Sequence, residues 1–460
     1  MVETPAAFAM SFKRTTRGRK GTPDEEQAGV RSGFPFPGTL HFHPFVGSPL
    51  GYRFRHIVKL LPLLLSGLVV SLTSACQRKS TLKFSEVAAG LDYGNESVTD
   101  VPWSIHVVRV DRTVPANSLQ SLHAQGRAVG LSPLSEQLQW LPTTLGTPMA
   151  AVNGDFYQRE RAFQGDPRGL QIVQGELLSA PKGGVAFWLD GSGSPWTTNV
   201  TPHLQITWPD GRATAFGLNE ERPPGNLVLF TPALGASTHT TDGEEWILGP
   251  AENGPWLPLQ LNQTYSAKVL ATRSTGNTPL APGLLVLSAG PQLAKTLPRL
   301  ETNAILRIAT ASAPVVADAQ VAIGGGPVLV RAGKPQPLPR PTGSAEAYEF
   351  SSMTERHPRT AVGWNQRYLF LVEVDGRQKG LSVGMTLAEL ARYLVSLGCD
   401  EAMNLDGGGS ATLWCDGRVR NKPCDGRERP VANSLVVVRR RDAERPDNAA
   451  KPADPSVAPR

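Results

Sequence analysis

Short strand-forming runs, each ended by a glycine turn, recur through the middle of this chain and constrain its fold more than any other feature. The run "MAAVNGDFY" (149–157) is interrupted by Asn-Gly, and "GVAFWLDG" (184–191) ends in Asp-Gly. Such dipeptides supply the backbone angles that tight β-hairpin turns need. With 46 glycines and 40 prolines in 460 residues, the composition also suits many strands and turns better than long helices.

Other runs of the same kind predict further strands, whereas residues 232–282, with their Pro and Gly, look less regular. The predicted strands are "WSIHVVRVD" (103–111), "GLQIVQGELL" (169–178), "NLVLFT" (226–231), "GLLVLSA" (283–289), "AILRIATA" (304–311), "PVLVRAGK" (327–334) and "RYLFLVEVDGR" (367–377). In the last of these, period two places Leu369, Leu371, Glu373 and Asp375 on one face of the strand.

One helix is predicted, directly before a glycine-rich segment. Thr386 can cap it, with Glu389 as the reciprocal partner in a capping box, and leucines follow at helical spacing from Leu387. Gly398 suits the left-handed position that ends a helix. Strands precede and follow this helix, so the predicted fold class is α+β, a strand-rich single domain with few helices and disordered N- and C-terminal tails.

The N-terminal part predicts export. Arg53, Arg55 and Lys59 precede the apolar run "LLPLLLSGLVVSL" (60–72), and "TSAC" then ends at Cys76. A basic flank, a short apolar run and small residues are the order of a secretory signal peptide, and the run is short for a membrane span. The cysteine after Ser-Ala resembles the lipobox of bacterial lipoproteins, in which that residue is lipidated, although Thr73 stands where Leu is usual. An ordinary signal peptide with a coincidental cysteine is the alternative.

These signals divide the chain into five segments. Residues 1–52 are expected to be a disordered leader extension, 53–76 a signal peptide, 77–100 a tether, 101–440 the main domain and 441–460 a disordered tail almost without apolar residues. The expected location is the bacterial periplasm or the outer membrane, with the membrane reached through a lipid on Cys76.

The charge distribution does not favour nucleic-acid binding. The net charge is +6, but the basic residues gather at the ends, in 12–20 and 439–445. No basic stripe interleaved with aromatic residues runs through the middle of the chain.

Three cysteines follow Cys76 in the sequence. Cys415 and Cys424 flank a turn-rich segment, and export permits disulfides, so a bridge between them is expected, with Cys399 a buried free thiol. No Cys-x-x-Cys or Cys/His spacing indicates zinc.

The segment "NLDGGGSATLW" (404–414) is the most unusual in the chain. A glycine run is needed where the backbone takes positive φ or approaches another group closely, and its amides can form a nest for an anion. Asp406 would repel a phosphate unless a proton, a cation or an arginine intervened, so it suits a sugar hydroxyl or proton transfer better. A tight turn whose aspartate caps backbone amides is the alternative. The segment matches neither the nucleotide P-loop nor the dinucleotide fingerprint.

Several segments together resemble the phosphodiester glycosidase family. They are "RTAVGW" (359–364), "LFLVEVDGR" (369–377), "GMTLAELARYLVSLGCDEAMNLDGGGSATL" (384–413) and "ERPVANSLVV" (428–437), with "AVNGDFY" (151–157), "GLQIVQGELL" (169–178) and "AIGGGPVLV" (322–330) upstream in the family's order. The resemblance covers residues 100–438 and is densest from 355 onward. The chain departs from the family pattern at Asp155, where a small residue is common, at Tyr157, where Phe is common, and at Trp364-Asn365.

The resemblance implies that water replaces a phosphate ester at the anomeric carbon of a sugar. Arg359 and Arg377 are the candidate cations for the departing phosphate, since a planar guanidinium binds it in two places. The candidate carboxylates, which activate water or attack the sugar, are Asp406 and Asp375, with Glu373 in reserve. Asp-Gly is also a plain turn signal, and an exposed ion pair is the alternative for either arginine.

Neutral groups are needed to bind the sugar. The candidates are Asn153, Asn404 and Ser410 together with the amides of Gly407, Gly408 and Gly409. Asn153 before Gly154 can equally be a turn residue, and for Gly324–Gly326 close packing is favoured over a place in the pocket. No Ser/His triad or zinc motif is visible. No cofactor is expected, although a divalent cation held by Asp375 or Asp406 stays open.

The sequence therefore predicts a hydrolase of sugar-1-phosphodiesters that acts on an envelope or exopolysaccharide substrate. One alternative is a non-catalytic glycan- or phosphoglycan-binding protein of the same fold. A second is a glycosidase for ordinary glycosidic bonds, which would depend on a general acid of raised pKa.

Overall fold

The computed structural model describes residues 82–159, 163–252, 254, 256–339 and 351–440, all within a compact unit that spans Gln77–Arg460. The predicted leader, the signal peptide with Cys76 and the tail 441–460 lie outside the described residues. No helix in the described part of the chain is long and apolar enough to cross a membrane.

Strands dominate the described residues. In chain order they are β1 (Ser85–Ala88), β2 (Leu91–Val98), β3 (Trp103–Asp111), β4 (Asn117–His123), β5 (Thr147–Asn153), β6 (Gln171–Val173), β7 (Glu176–Ser179), β8 (Val185–Leu189), β9 (Pro195–Asn199), β10 (Thr201–Thr207), β11 (Ala213–Ala215), β12 (Gly217–Leu218), β13 (Leu227–Phe230), β14 (Glu244–Pro250), β15 (Thr264–Arg273), β16 (Leu285–Ala289), β17 (Ile305–Ala313), β18 (Val321–Gly325), β19 (Val328–Arg331), β20 (Lys334–Pro335), β21 (Arg359–Trp364), β22 (Tyr368–Val374), β23 (Glu401–Asn404), β24 (Leu413–Cys415), β25 (Arg418–Val419) and β26 (Asn433–Arg439).

Helices are few and mostly short. They are α1 (Leu134–Gln137) and α2 (Leu387–Ser396), with 3₁₀ turns at Ala124–Gly126, Leu138–Trp140, Pro232–Leu234 and Gly408–Ser410, and residues 351–354 are also helical. The described part of the chain is therefore mostly β, and the α+β prediction is corrected in this respect, because α2 alone among the described helices has the apolar spacing of a long amphipathic helix.

The strands form four sheets. The site sheet has the order β1-β2-β3-β22-β21-β23-β19-β20, and a smaller sheet beside it has the order β25-β24-β5-β26-β4. A third sheet, β7-β6-β18-β8-β9, shares one core with both of these and a second, large core with the fourth sheet, β11-β10-β17-β15-β14-β16-β13-β12.

The two faces of the site sheet are buried against different partners, as the period-two pattern of β22 predicts. Val372 and Val374 pack with Leu390 of α2, whereas Leu371 packs with Val152 of β5. Residues on the second face are therefore enclosed between the site sheet and the smaller β5 sheet.

The capping of α2 is confirmed. The Thr386 hydroxyl accepts from the amide of Glu389 at 3.1 Å, and the Glu389 carboxylate accepts from the amide of Thr386 at 2.9 Å. Gly398, just after the helix, has a φ of +90°. This helix covers one face of the site sheet and leads into β23, which ends at the glycine run.

Other expectations differ from the structure in two stretches. The tether predicted for 77–100 instead contributes β1 and β2, and β2 pairs with β3 along its full length. The irregular stretch 232–282 contains β14 and the ten-residue β15. Proline and glycine in the flanking loops conceal the strand pattern there.

The expected disulfide is wrong, since Cys415 and Cys424 are both free thiols in the structure. Cys415 is on β24 and packs into the core with Leu413, while Cys424 lies on a loop with its sulfur 3.6 Å from a carboxylate oxygen of Asp425. Cys399 is a buried free thiol, as predicted, and burial raises the pKa of its thiol.

Candidate active site at the glycine run

Sheet topology brings the predicted site residues to one end of the site sheet. β21 runs antiparallel to both β22 and β23, so its first residue, Arg359, lies opposite Val374 at the end of β22. Asn404 ends β23 on the other side and faces Ala361. The segments that follow β22 and β23 therefore leave the sheet side by side.

Asn153 links the β5 sheet to this end of the site sheet. Its amide nitrogen donates to the backbone oxygen of Asp406 at 2.6 Å, and its carbonyl oxygen accepts from the Thr360 hydroxyl at 2.7 Å and from the amide of Thr412 at 3.1 Å. The side chain is fully buried. In this arrangement Asn153 holds the glycine run in place, and its polar atoms are already occupied by protein partners.

At each position of the run, a different neighbouring group restricts the space for a side chain. A Cβ at position 407 would lie 2.6 Å from the backbone oxygen of Pro358, and one at position 409 would collide with the guanidinium of Arg429. Gly408 has a φ of +63°, and a Cβ there would lie 3.2 Å from the guanidinium nitrogens of Arg377. The missing side chains thus allow two guanidinium groups to lie directly on the backbone of the loop.

Arg377 is exposed, and no ion pair joins it to a carboxylate within the described ranges. Its φ of +59° is uncommon for a residue with a side chain. Its Nε lies 3.3 Å from Nδ1 of His357, whose pKa is lowered by burial and then by Arg377 and Arg359. A neutral imidazole beside a free, strained arginine leaves a positive group available to an anion.

Arg429 is the second guanidinium on the run. It forms an ion pair with Asp425 at 2.7 Å and is only partly exposed. Arg159, which lies 5.6 Å from the ring centre of Tyr157, is also close enough to lower the pKa of Asp406. Arg159 and Arg429 therefore both act on the aspartate that precedes the glycines, and the sequence had singled out neither of them.

Asp406, the residue directly before the glycine run, is almost wholly buried. Its Oδ1 accepts from the amide of Gly407 at 2.9 Å, and its own amide donates to the backbone oxygen of Gly154 at 2.9 Å. Burial raises the pKa of Asp406, and the nearby Ser410 hydroxyl, Arg159, the Gly407 amide and Arg429 counteract this effect. The surroundings thus provide several groups that stabilise the ionised form.

Asp155 is a second buried carboxyl beside Asp406. Its pKa is raised to about 7, mainly by burial and also by the charge of Asp406. One of its oxygens has no hydrogen-bond partner among the described residues. A Cβ at Gly324 would collide with that oxygen, and one at Gly169 would lie 3.0 Å from it, so two glycines make room for the carboxyl.

The two carboxyls therefore differ in environment, which is how neighbouring acidic groups acquire separate acid and base roles. In the sequence, Asp155 stood out only as a departure from the family pattern.

Arg359 differs from Arg377 in having its guanidinium engaged. Its nitrogens donate to the backbone oxygens of Met385, Ser352 and Glu355 at 2.7–2.8 Å. Its pKa is lowered to about 10, mainly by burial and also by the charge of Arg377. The next residue back, Pro358, accepts from the amide of Gly408 at 2.9 Å. Arg359 thereby fixes the segment on which the glycine run rests.

Asp375 belongs to a different set of contacts from Asp406. One oxygen accepts from the amide of Lys422 at 2.8 Å, and the other lies 3.3 Å from Nε2 of His106. Glu373, the reserve candidate, is fully buried next to it. The structure thus separates the two predicted carboxylates, with Asp406 at the glycine run and Asp375 between β22 and β3.

Asn404 and Ser410 line the buried side of the run. The Asn404 amide donates to the backbone oxygen of Gly326 at 2.9 Å, while its carbonyl oxygen has no hydrogen-bond partner in the described part of the chain. A Cβ at Gly325 would lie 2.6 Å from the backbone oxygen of Asn404. Gly325 thus has the close packing that the sequence favoured, while Gly324 makes room for Asp155.

Sequence reasoning missed Asp155, Tyr157, Arg159 and Arg429 as members of this site. Asp155 and Tyr157 lie in "AVNGDFY" and Arg429 in "ERPVANSLVV", two segments that carry the family resemblance. An unusual charged residue inside a matched segment was the available signal. The two segments come together because β5 and β26 pair beside the site sheet, and local sequence does not reveal this pairing.

Comparison with known proteins finds a family match in the same part of the chain. The family model for phosphodiester glycosidase matches residues 263–438, a range that includes the glycine run, Arg377 and Arg429. A 68-residue stretch is 41% identical to N-acetylglucosamine-1-phosphodiester alpha-N-acetylglucosaminidase of Bos taurus, and a 110-residue stretch is 33% identical to the SPbeta prophage-derived protein YomE of Bacillus subtilis.

These matches are partial. They cover 15% and 24% of this chain, and the chain spans only 12% and 16% of the two relatives.

Solved structures show the same fold at low identity. A hypothetical protein from Synechocystis has a TM-score of 0.61 and 22% identity over 78% of this chain and 64% of its own. A protein from Burkholderia pseudomallei K96243, named as exported, has a TM-score of 0.56 and 22% identity over 73% of this chain and 74% of its own. The family model itself confirms the resemblance to the phosphodiester glycosidase family over residues 263–438.

Proposed function

We propose that this protein is a phosphodiester glycosidase, which hydrolyses a sugar linked through its anomeric carbon to a phosphodiester. The observation that carries the proposal is the contact of Arg377 and Arg429 with the glycine run directly beside the buried Asp406. This arrangement offers positive charge for a phosphate and a carboxylate for the sugar within one site. The family match and the named activity of the bovine relative support the same reaction class.

In the proposed reaction, the bond between C1 of the sugar and the phosphate oxygen breaks, and its electron pair leaves with the phosphate. Water supplies the oxygen that bonds to C1, and one of its protons passes to a carboxylate. The products are the free sugar and a phosphate monoester. Because phosphate is already a good leaving group, positioning and charge stabilisation are the main demands on the protein.

Asp406 is the proposed carboxylate for this step, and Asp155 its proton-carrying neighbour. Arg159, Arg429 and the Gly407 amide counteract the rise that burial causes in the pKa of Asp406, whereas Asp155 has a raised pKa of about 7 and is protonated below that pH. A neutral Asp155 spares Asp406 the repulsion of a second negative charge. The pair thus combines a carboxyl that holds its proton below about pH 7 with one whose ionised form nearby arginines and an amide stabilise.

Arg377 and Arg429 are proposed to bind the phosphate, aided by the amides of the glycine run. Gly407, Gly408 and Gly409 let the phosphate approach the backbone, while Asn404 and Ser410 are proposed to bind sugar hydroxyls. Arg359, Asn153 and Asp375 are proposed as positioning residues, because each is held by protein partners in the structure.

The proposed substrate is an envelope or exopolysaccharide component outside the cytoplasm. The signal-peptide pattern ending at Cys76 supports export, and a protein of the same fold is itself named as exported. Lipidation of Cys76 would hold the enzyme at the membrane next to such a glycan.

Hydrolysis of a panel of sugar-1-phosphodiesters by the full chain tests the proposal, with aryl glycosides as the comparison. Asp406→Asn is expected to lower kcat/KM at least 100-fold, an effect of about 2.7 kcal/mol on the transition state. The matched control is Asp416→Asn, an exposed aspartate of the same domain, which is expected to keep the parent rate.

Three results would contradict the proposal. Binding of the panel without release of sugar would indicate a glycan-binding protein. Turnover of aryl glycosides alone would indicate an ordinary glycosidase. Equal rates for the parent and a folded Asp406→Asn would move the chemistry away from the glycine run.

A further inference from the structure

A second cluster of ionisable groups lies between β3 and β22, apart from Asp406. His106 of β3 is paired in register with Glu373 of β22, and Asp375 follows one residue after the strand. One nitrogen or oxygen of each side chain lies within 4.8 Å of the others. Their residues are 6%, 0% and 2% exposed, respectively, so bulk water does not solvate the two carboxylates.

Glu373 is the group that requires an explanation. Neither of its carboxylate oxygens has a hydrogen-bond partner among the described residues. The neighbouring Asn421 amide is engaged with the backbone of Ala411 and Leu413. A buried acidic group without partners is costly, and such groups are usually paired, protonated or bound to a metal ion.

The other two side chains are held from outside the cluster and face Glu373. Nδ1 of His106 lies 2.7 Å from the Tyr93 hydroxyl, and Oδ1 of Asp375 accepts from the amide of Lys422. Nε2 of His106 and Oδ2 of Asp375 are 3.3 Å apart, and the Ser104 hydroxyl is also 3.3 Å from Nε2. Outer contacts of this kind orient the ligands of protein metal sites, and a His106 that donates Nδ1–H to Tyr93 presents the lone pair of Nε2 inward.

We propose that His106, Glu373 and Asp375 bind one divalent transition-metal ion of the Zn²⁺ or Mn²⁺ class. One imidazole and two carboxylates form a mixed nitrogen and oxygen ligand set, which suits these ions, and two negative charges balance a dication. A 3.3 Å separation of two donor atoms is compatible with ligands about 2.0–2.2 Å from a shared ion.

The ion would connect three parts of the site region. His106 belongs to β3, the two carboxylates to the end of β22, and Asp375 in turn holds the loop of Lys422 that leads to Arg429. Asp375 also lies two residues before Arg377. Since none of the three ligands is Asp406, Arg377 or Arg429, binding of the ion is separable from the proposed glycosidase reaction and is measured without substrate.

The test is metal content and stability of the full chain. Protein stripped with EDTA and dialysed against ZnCl₂ or MnCl₂ is expected to retain one ion per chain by mass spectrometry and to gain several degrees in Tm. Glu373→Gln is expected to lower the affinity for the ion at least 100-fold and to abolish the dependence of Tm on metal. Glu401→Gln, a carboxylate on β23 of the same sheet, is the matched control and is expected to retain the ion.

A spectroscopic measurement covers the case in which Glu373→Gln does not fold. Co²⁺ bound to the parent is expected to give visible absorption bands that His106→Gln changes, while the leader variant His41→Ala/His43→Ala leaves them intact. The proposal is overturned if the folded parent binds no ion. It is also overturned if Glu373→Gln retains the ion, or if the leader variant His41→Ala/His43→Ala loses it. If the parent binds no metal and Glu373→Gln has a higher Tm than the parent, Glu373 is a buried neutral acid.

Discussion

At the scale of single residues, the site depends on two buried carboxyls with different surroundings. Arg159 and Arg429 act on Asp406, whereas Asp155 lies against Gly169 and Gly324, and one of its oxygens has no hydrogen-bond partner among the described residues. The family resemblance identified the first of these from sequence. The second could not be assigned a role, because its meaning depends on residues that are distant in the chain.

Asp155→Asn is predicted to change how stability depends on pH. Burial raises the pKa of Asp155 to about 7 from a usual value of 3.8, so the folded state binds more protons than the unfolded state between these limits. Stability contributed by this group is therefore present below pH 3.8 and is lost as pH rises towards 7.

Urea unfolding of both proteins at pH 4, 5.5 and 7 measures this effect. The stability of Asp155→Asn relative to the parent is expected to rise across this range, by an amount on the order of 3 kcal/mol. Parallel pH profiles for parent and variant would contradict the assignment of a raised pKa to Asp155.

Arg377 is predicted to act on the phosphate rather than on stability. Arg377→Ala is expected to lower kcat/KM for a sugar-1-phosphodiester about 100-fold, and Arg377→Lys to recover only part of this, since lysine keeps the charge but not the two-point geometry. Steady-state kinetics with a Tm measurement checks both effects. Arg367→Ala, at an exposed ion pair with Asp111, is the control and is expected to keep the parent rate. An Arg377→Ala protein that is unstable but fully active per folded molecule would assign Arg377 a structural role.

At the scale of elements, local patterns predicted what local interactions determine. The capping box of α2 and the strand 103–111 are present as predicted, because caps and alternating apolar residues act over a few positions. β14 and β15 were missed, since their flanking loops contain Pro and Gly. The disulfide was wrong because Cys415 faces the core, which the turn-rich sequence between the cysteines does not indicate.

Gly407 and Gly409 are predicted to have different roles: Gly407 is needed for packing, and Gly409 leaves room for the side chain of Arg429. A side chain at 407 meets the backbone oxygen of Pro358, which is fixed, whereas one at 409 meets the ends of the Arg429 and Asp425 side chains, which can move. Gly407→Ala is therefore expected to lower the free energy of unfolding by about 1–3 kcal/mol. Gly409→Ala is expected to displace Arg429 and lower activity with a smaller loss of stability.

Urea unfolding and steady-state kinetics of the two variants provide the comparison. Equal losses of stability at both positions would contradict the distinction, as would full activity in Gly409→Ala.

At the scale of the whole molecule, the described residues form four β-sheets, and the site lies where the site sheet meets the smaller β5 sheet. The β-rich character and the glycine turns were predictable from composition and spacing. The contact between the end of β5 and the glycine run after β23 was not, because it joins residues more than 200 positions apart, as Asn153 and Asp406 illustrate. Asp375 was assigned to the same site as Asp406 for this reason, whereas the structure places it in the His106 cluster.

The position of bond cleavage tests the central claim most directly. Hydrolysis of a sugar-1-phosphodiester by the full chain in H₂¹⁸O, followed by mass spectrometry of the released phosphate monoester, distinguishes attack at carbon from attack at phosphorus. The account predicts a phosphate monoester without ¹⁸O, because water bonds to C1 of the sugar. A phosphate monoester that carries one ¹⁸O would show that the protein cleaves the phosphorus–oxygen bond, and would contradict the assignment of glycosidase activity.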